Sequence, residues 1–582
     1  MKVPLDGSRP DAVFPSVTRE RWRELALGVL RKSGVETGSP EEALASITYD
    51  GVTIAPLYDA SDLPGDPGLP GSAPYIRGSR PEGGSWDVRQ RHEVADPEAV
   101  LADLENGVTS LWLALEPEDL PRVLERVYLE LISVTLDAGG RTREAAGVLF
   151  ELAERKGSGA LAGNLGADAL ADPETAIELA RLCSEGFPDL RAITVDGTPY
   201  HDEGGSDAEE LGCSVAAGVA ALRTLTGAGL TVEEAFGQLE FRYAATADQF
   251  LTIAKLRAAR RLWARVAEVC GTDAGQRQHA VTSSAMMTAR DPWVNMLRTT
   301  LACFAAGTGG ADAVTVQPFD ARLGLPDAFA RRIARNTQAL LMEEAGVARV
   351  IDPAGGSWYV ERLTEDLAAK AWEWFQEIER AGGMAAARES GLVADRLAAT
   401  WKRRAANIAR RRDPITGVSE FPNIGERRPS RAPRPGEVAG VHYAQEFEAL
   451  RDLADAQETR PKVFLATIGP VAAYTARASF AANLFQSGGI ATVPGGHGVD
   501  PDRIAADFIA AGGGAVVCLC SSDRLYGEHA EAVAAALRRA GAQKVWLAGR
   551  KGEFAGVDAD LYAGCDALGV LRTTFDDLGV TR

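Results

Sequence analysis

Short apolar runs alternate with amphipathic stretches along most of this chain. Residues 111–115, 131–136, 192–195 and 313–316 are apolar or β-branched and read as strands. Residues 142–156, 233–269 and 327–345 carry apolar positions at helical spacing, and 117–127 reads as a helix start. Strands separated by helices imply a parallel sheet. With this many units over residues 41–400, a closed eight-stranded TIM-type (β/α)8 barrel is the economical arrangement. Ahead of it, residues 1–40 read as a helical arm. Thr18 caps a helix whose Trp22, Leu25, Val29 and Leu30 share one face, which either packs on its own domain or grips a partner chain. After residue 461 the alternation resumes, with strands expected at 462–466, 490–493, 515–519 and 544–548 and helices at 472–486, 502–511 and 526–539. Residues 462–582 therefore read as a second, doubly wound α/β unit of flavodoxin-like type.

Residues 401–461 differ in character. Ten of the 33 residues from Lys402 to Arg434 are Lys or Arg, with prolines and glycines among them. A basic run is one signature of nucleic-acid binding. The whole chain is acidic, however: 62 Lys+Arg stand against 81 Asp+Glu over 582 residues, a formal net charge of −19. That balance opposes nucleic acid and favours a connector lying on an acidic surface. The apolar run 508–520 holds three glycines and is too short to span a bilayer, and the first residues lack the apolar core of a signal peptide. Seven scattered cysteines fit a reducing compartment, the cytoplasm.

Candidate chemistry is sparse. Cys518 and Cys520 do not complete a zinc set and read as core. Gly512–Gly514 follows a helix and precedes a strand, the reverse of a phosphate-binding loop, and reads as a helix terminator. His497 reads as a polar loop residue, and no metal is expected.

Two stretches resemble the methylmalonyl-CoA mutases. One is Gly68-Leu-Pro-Gly-Ser-Ala-Pro-Tyr-Ile-Arg-Gly78 followed by Trp86-Asp-Val-Arg-Gln90; the other is His279-Ala-Val-Thr-Ser-Ser with Arg290-Asp-Pro-Trp and Leu297-Arg-Thr. Ile253-Ala-Lys-Leu-Arg-Ala-Ala-Arg260, Ile351-Asp-Pro-Ala-Gly-Gly-Ser-Trp-Tyr359 and Asp413-Pro-Ile-Thr-Gly-Val-Ser-Glu-Phe421 extend the likeness over about residues 40–570. The resemblance implies a barrel that threads an acyl-CoA and a terminal domain that holds adenosylcobalamin. The family reaction interconverts methylmalonyl-CoA and succinyl-CoA by radical rearrangement, with the cofactor carrying the chemistry.

Departures from the family pattern are as informative. The family's Asp-x-His-x-x-Gly signature falls on Gly469–Ala476, where Val471, Ala473 and Ala476 replace the Asp, His and Gly. Alanine has no lone pair for cobalt, and valine cannot orient a ligand as a carboxylate does. The family's later Gly-Gly pair is Ala548-Gly549. In the barrel, Arg91 stands at the active-site tyrosine position, Gly166 at a glutamine and Val281 at another, while His279 and Arg89 persist as vestiges. Apolar Tyr474 and Phe485 are candidates to fill the vacated cofactor pocket. The losses resemble the small, degenerate chain of heterodimeric family members. They imply no cofactor on this chain, adenosylcobalamin in a large catalytic partner, and acyl-CoA met only through the complex. A self-sufficient acyl-CoA mutase of altered substrate, or a non-enzymatic acyl-CoA-binding partner protein, is the alternative.

Overall fold

The computed structural model describes residues 17–434, 440–495, 497–550 and 552–580. Helix α1 (Arg19–Lys32) begins where Thr18 accepts a hydrogen bond from the Arg21 amide. Of its expected apolar face, Leu30 is buried and Trp22 half-buried, whereas Leu25 and Val29 lie exposed.

Eight parallel strands then close into a barrel: β1 (Asp87–His92), β2 (Ser110–Leu113), β3 (Ser133–Leu136), β4 (Ala162–Ala167), β5 (Leu190–Asp196), β6 (Leu239–Ala245), β7 (Gln278–Thr282) and β8 (Ala313–Thr315). Closure is made by β8 on β1, with Ala313 opposite Asp87 and Val314 opposite Val88. The outer ring includes α2 (Thr142–Lys156), α3 (Asp207–Gly227), α4 (Gln249–Cys270), α5 (Val294–Thr308) and α6 (Ala328–Ala339). Asp248 caps α4 by accepting from the Leu251 amide, and Gly271 ends it at φ 80°. One apolar core joins barrel and ring, with Trp263 at its centre against Phe236 and Phe241.

The continuous helix expected over 233–269 is not present. A short helix (Val232–Gly237) is followed by β6 and only then by α4. The β6 sequence Leu-Glu-Phe-Arg-Tyr-Ala-Ala is rich in strong helix formers, which hides its period of two. Phe241 and Tyr243 pack in the core outside the barrel, while Glu240 and Arg242 form ion pairs with residues on other strands. Tertiary partners therefore override local propensity.

Helices α7 (Trp358–Arg380), α8 (Leu392–Ala409) and, in the connector, α9 (Gln445–Asp455) precede the terminal unit, whose five parallel strands receive the apolar side of α9 in their core. These are β9 (Lys462–Thr467), β10 (Ala491–Gly495), β11 (Val516–Cys520), β12 (Lys544–Ala548) and β13 (Ala559–Leu561), in spatial order β10-β9-β11-β12-β13. All five residues of β11 are buried, as a central parallel strand covered on both faces requires. Two apolar cores lie on the sheet, one holding Phe485 and the other Phe464 and Phe508.

Between the units the basic stretch meets carboxylates. Arg431 pairs with Asp320 and Asp327, and Arg434 with Glu93 at 2.9 Å. Arg290, buried after β7, pairs with Asp452, with Asp455 at 2.6 Å and with Glu426 at 3.3 Å. The amides of Ala289 and Arg290 also donate to Glu448 Oε1. Among the described residues no helix is long and apolar enough to cross a membrane.

Candidate functional site

Strands of a parallel barrel deliver side chains alternately inward and outward, and their carboxyl ends form the face where such barrels carry chemistry. The resemblance-derived positions on β1 and β7 fall on this framework. Arg89 is fully buried on β1. Its Nη1 donates to Glu240 Oε1 at 2.5 Å and its Nε to Ser110 Oγ at 2.9 Å. Arg277 adds a second cation, 3.4 Å from Glu240 Oε2. Burial alone would raise the Glu240 carboxyl; Arg89 overrides it, aided by Arg277, and holds it near 2.

Nearer the carboxyl face, Arg91 lies 4.7 Å over the Trp112 ring and Arg242 4.2 Å over the same ring. Trp112 Nε1 donates to Asp137 at 3.0 Å, and Arg242 Nη1 donates to Asp196 at 2.8 Å. His279 is fully buried with its ring edge-on to Trp112 at 5.3 Å. Arg242 Nε donates to His279 Nδ1 at 3.3 Å, which assigns the ring proton to Nε2, donating to Thr315 Oγ1 at 2.8 Å. Burial, then Arg89 and Arg242, push His279 well below its ordinary value. The ring is neutral at physiological pH and both nitrogens are engaged.

Gly166 sits at an irregularity of β4, with φ +76°. A Cβ there would lie 2.2 Å from the Leu136 carbonyl oxygen. Asn164 holds the bulge by accepting from the Gly166 amide at 2.7 Å. Val281 is buried on β7 and lines a cleft of about 120 Å³ with Gln90, Arg91 and Trp112. A larger crevice of about 790 Å³ opens beside it at the ends of β3–β5, with Asp137, Gly166, Asp196, Arg242 and Arg388 in its wall.

Sequence reasoning missed a neighbouring buried cluster. His201 Nε2 and Ser283 Oγ lie 2.7 Å apart, and Lys255 Nζ donates to Glu210 at 2.7 Å and pairs with Asp207 at 2.8 Å. Burial, then Lys255, lowers His201 to about 3, and burial raises Glu210 to about 7. Lys255 and Ser283 stand inside the motifs Ile253–Arg260 and His279–Ser284, so the signal was on the page; their partners His201 and Glu210 carry no motif.

In the terminal unit, β9 leads through Gly469 and Pro470 directly into α10 (Val471–Ser487). The signature positions thus occupy its first two turns. Val471 and Ala476 face solvent and Ala473 is half-buried; none carries a nitrogen, oxygen or sulfur donor in its side chain. Ligands of such sheets lie in the crevice beyond the strand ends, where strand order reverses. Here that crevice, between β9 and β11, is closed by the chain itself. Ser521 Oγ donates to the Ile468 carbonyl at 2.7 Å. Arg477 of α10 donates to the Ser521 carbonyl at 2.8 Å and lies 5.1 Å over the Tyr526 ring. Its guanidinium would meet any Cβ added to Gly549 at 2.9 Å. The single hydroxyl proton of Tyr526 lies between the carbonyls of Ala548, 2.8 Å away, and Leu519, 3.0 Å away. The residues present do not fit a corrinoid. Tyr474 pairs instead with His497 Nδ1 at 2.8 Å, and Phe485 packs in one of the sheet's cores. Cys518 and Cys520 are buried in that core, and the described residues hold no cluster suited to a metal.

Comparison with known proteins places these features. The methylmalonyl-CoA mutase family profile matches residues 113–482. The methylmalonyl-CoA mutase small subunit of Streptomyces virginiae is 58% identical over 99% of both chains. That of Propionibacterium freudenreichii subsp. shermanii is 39% identical, covering 98% of this chain and 96% of its own. The large subunit of Streptomyces virginiae is 31% identical over 70% of this chain and 62% of its own.

Proposed function

From the premise that this chain belongs to the methylmalonyl-CoA mutase family, we propose that it is the small, non-catalytic subunit of the heterodimeric enzyme. It partners the large chain, which binds adenosylcobalamin and rearranges methylmalonyl-CoA and succinyl-CoA, in the cytoplasm. Its own role is structural: a barrel over 41–400 and a flavodoxin-like unit over 462–582, joined by the 401–461 connector and preceded by the 1–40 arm. The strand order 2-1-3-4-5 supports the flavodoxin-like assignment.

One observation carries the reading: Val471, Ala473 and Ala476 offer no cobalt ligand, and Arg477, Ser521 and Tyr526 fill the strand-end crevice. The barrel supports it from the other side. Arg91 stands where the family resemblance expects the active-site tyrosine, and it shares the Trp112 ring with Arg242 at the barrel mouth. The test is the absorption spectrum of the purified chain titrated with adenosylcobalamin. The free-cofactor spectrum is expected to persist. A stoichiometric shift to a histidine-ligated, base-off form overturns the proposal, as does acyl-CoA turnover by the chain alone.

A further inference from the structure

A helix on the outside of a barrel presents a polar stripe to water. Helix α2 does so, with Glu144, Glu151, Glu154 and Arg155 on its outer side. Helix α5 does not. Its sequence, Val-Asn-Met-Leu-Arg-Thr-Thr-Leu-Ala-Cys-Phe-Ala-Ala-Gly-Thr, has a single charged residue. That residue, Arg298, turns away to the Thr416 carbonyl at 2.7 Å and Asn295 Oδ1 at 2.7 Å. What remains outward is Trp293, Leu297 and Leu301, exposed at 48%, 67% and 43%, with half-buried Met296, Thr300 and Phe304 between them. The positions follow i, i+4 and i+8, one continuous stripe about 12 Å long at 1.5 Å per residue. An outward helix face that is largely apolar marks a surface that another element covers.

The border of the stripe says what covers it. Phe319 stacks on Trp293 at 4.8 Å and meets exposed Phe329 edge-on, carrying the apolar surface onto α6. There Arg332 lies 5.4 Å over the Phe329 ring, and Arg349 stands in the turn that packs against α5. Both are exposed and make no ion pair with the described residues. In a chain of net charge −19, an apolar face rimmed by unpaired arginines selects a partner with an apolar centre and carboxylates at its edge.

Resting on the small-subunit reading above, we propose that the α5 face is the surface on which this chain receives the large subunit, with Trp293, Leu297 and Leu301 at its centre and Arg332 and Arg349 at its rim. The large-subunit relative is itself similar to this chain, so two barrels of one family meet. Pairs of like folds associate most readily about a pseudo-two-fold axis, where matching helices face each other.

The test compares the wild-type chain with a Leu297→Glu/Leu301→Glu variant and with Arg332→Glu, each mixed with the cognate large chain and followed by sedimentation velocity and calorimetry. Both leucines are exposed, so the double variant is expected to melt as the wild type does. It is expected to bind at least about 100-fold more weakly, as for central hot spots. Arg332→Glu is expected to slow association about tenfold at low salt and little at high salt. A folded double variant that binds within twofold of wild type overturns the proposal while leaving the small-subunit reading intact. A wild-type chain that takes up no large chain overturns that reading and this one together. A homodimer of the wild-type chain, broken by the double variant while the heterodimer survives, gives the face to a second copy and also overturns it.

Discussion

The barrel mouth and the terminal strand-end crevice are occupied in opposite ways. In the barrel, polar groups persist and bind one another. Arg89 is locked to Glu240, and His279 is held between Arg242 and Thr315. In the terminal unit the first turns of helix α10 carry Val471, Ala473 and Ala476, and Arg477 reaches back over the crevice. Buried charge in the first region makes every member indispensable to its neighbour, because an orphaned ion is costly. Solvent-facing alanine and valine in the second have nothing to lose. A substitution therefore carries very different stability consequences in the two places.

The sharpest contrast comes from Glu240→Ala. It strands the fully buried Arg89 guanidinium and takes one of two carboxylate partners from half-buried Arg277, and is expected to cost about 3–5 kcal/mol in urea unfolding. The pH dependence follows the same pair. Glu240 is held near 2 against an ordinary value of 4.5, so its contribution is complete above about pH 4.5 and is lost as pH falls toward 2. Next comes Gly166→Gln, which puts a side chain at φ +76° against the Leu136 carbonyl. It is expected to destabilise by about 1–3 kcal/mol, read as a lowered thermal midpoint. If it proved neutral, the bulge would be more pliable than its geometry requires.

His279→Ala leaves Thr315 and Arg242 short of a partner and is expected to cost about 1–3 kcal/mol. In the intact protein the His279 ring resonances are expected not to move between pH 8 and 5. Since burial lowers the folded value below 6.5, the residue favours folding above pH 6.5 and opposes it progressively below. The smallest effect is expected of Val471→Asp. This position is 63% exposed in the first turn of α10, where a carboxylate meets the helix amino end. A gain of about 0.3–0.5 kcal/mol is expected from chemical denaturation. A loss above about 1 kcal/mol would erase the distinction between the two regions.

How much of this the sequence discloses depends on where each residue finds its partner. Strands built from β-branched or apolar residues, such as β9, β11 and β12, are visible in the pattern because burial on both faces leaves an unbroken run. The strands β1, β4, β6 and β7 are not, since Arg89, Asn164, Glu240 and His279 break the apolar run. Arg89 and Glu240 lie 151 residues apart, so nothing local marks either as an interior residue. The substitutions at Val471, Ala473 and Ala476 could be read residue by residue against the family signature. The closing of the crevice could not, because Arg477, Ser521 and Tyr526 become neighbours only once β9, β11 and α10 are assembled. Likewise the apolar composition of α5 is plain in its letters, but only its place on the outside of the ring makes it an anomaly.

The grip of Arg290 on α9 bears on how the molecule melts. A guanidinium 3% exposed in the barrel is satisfied by carboxylates of the connector, two of them on helix α9, which packs into the core of the terminal sheet, and two backbone amides beside it depend on Glu448 of the same helix. Neither unit can come apart without leaving the other's charges stranded. Barrel and sheet should accordingly share a single endotherm in a calorimeter, which a charge-removing change at Arg290 would split into two.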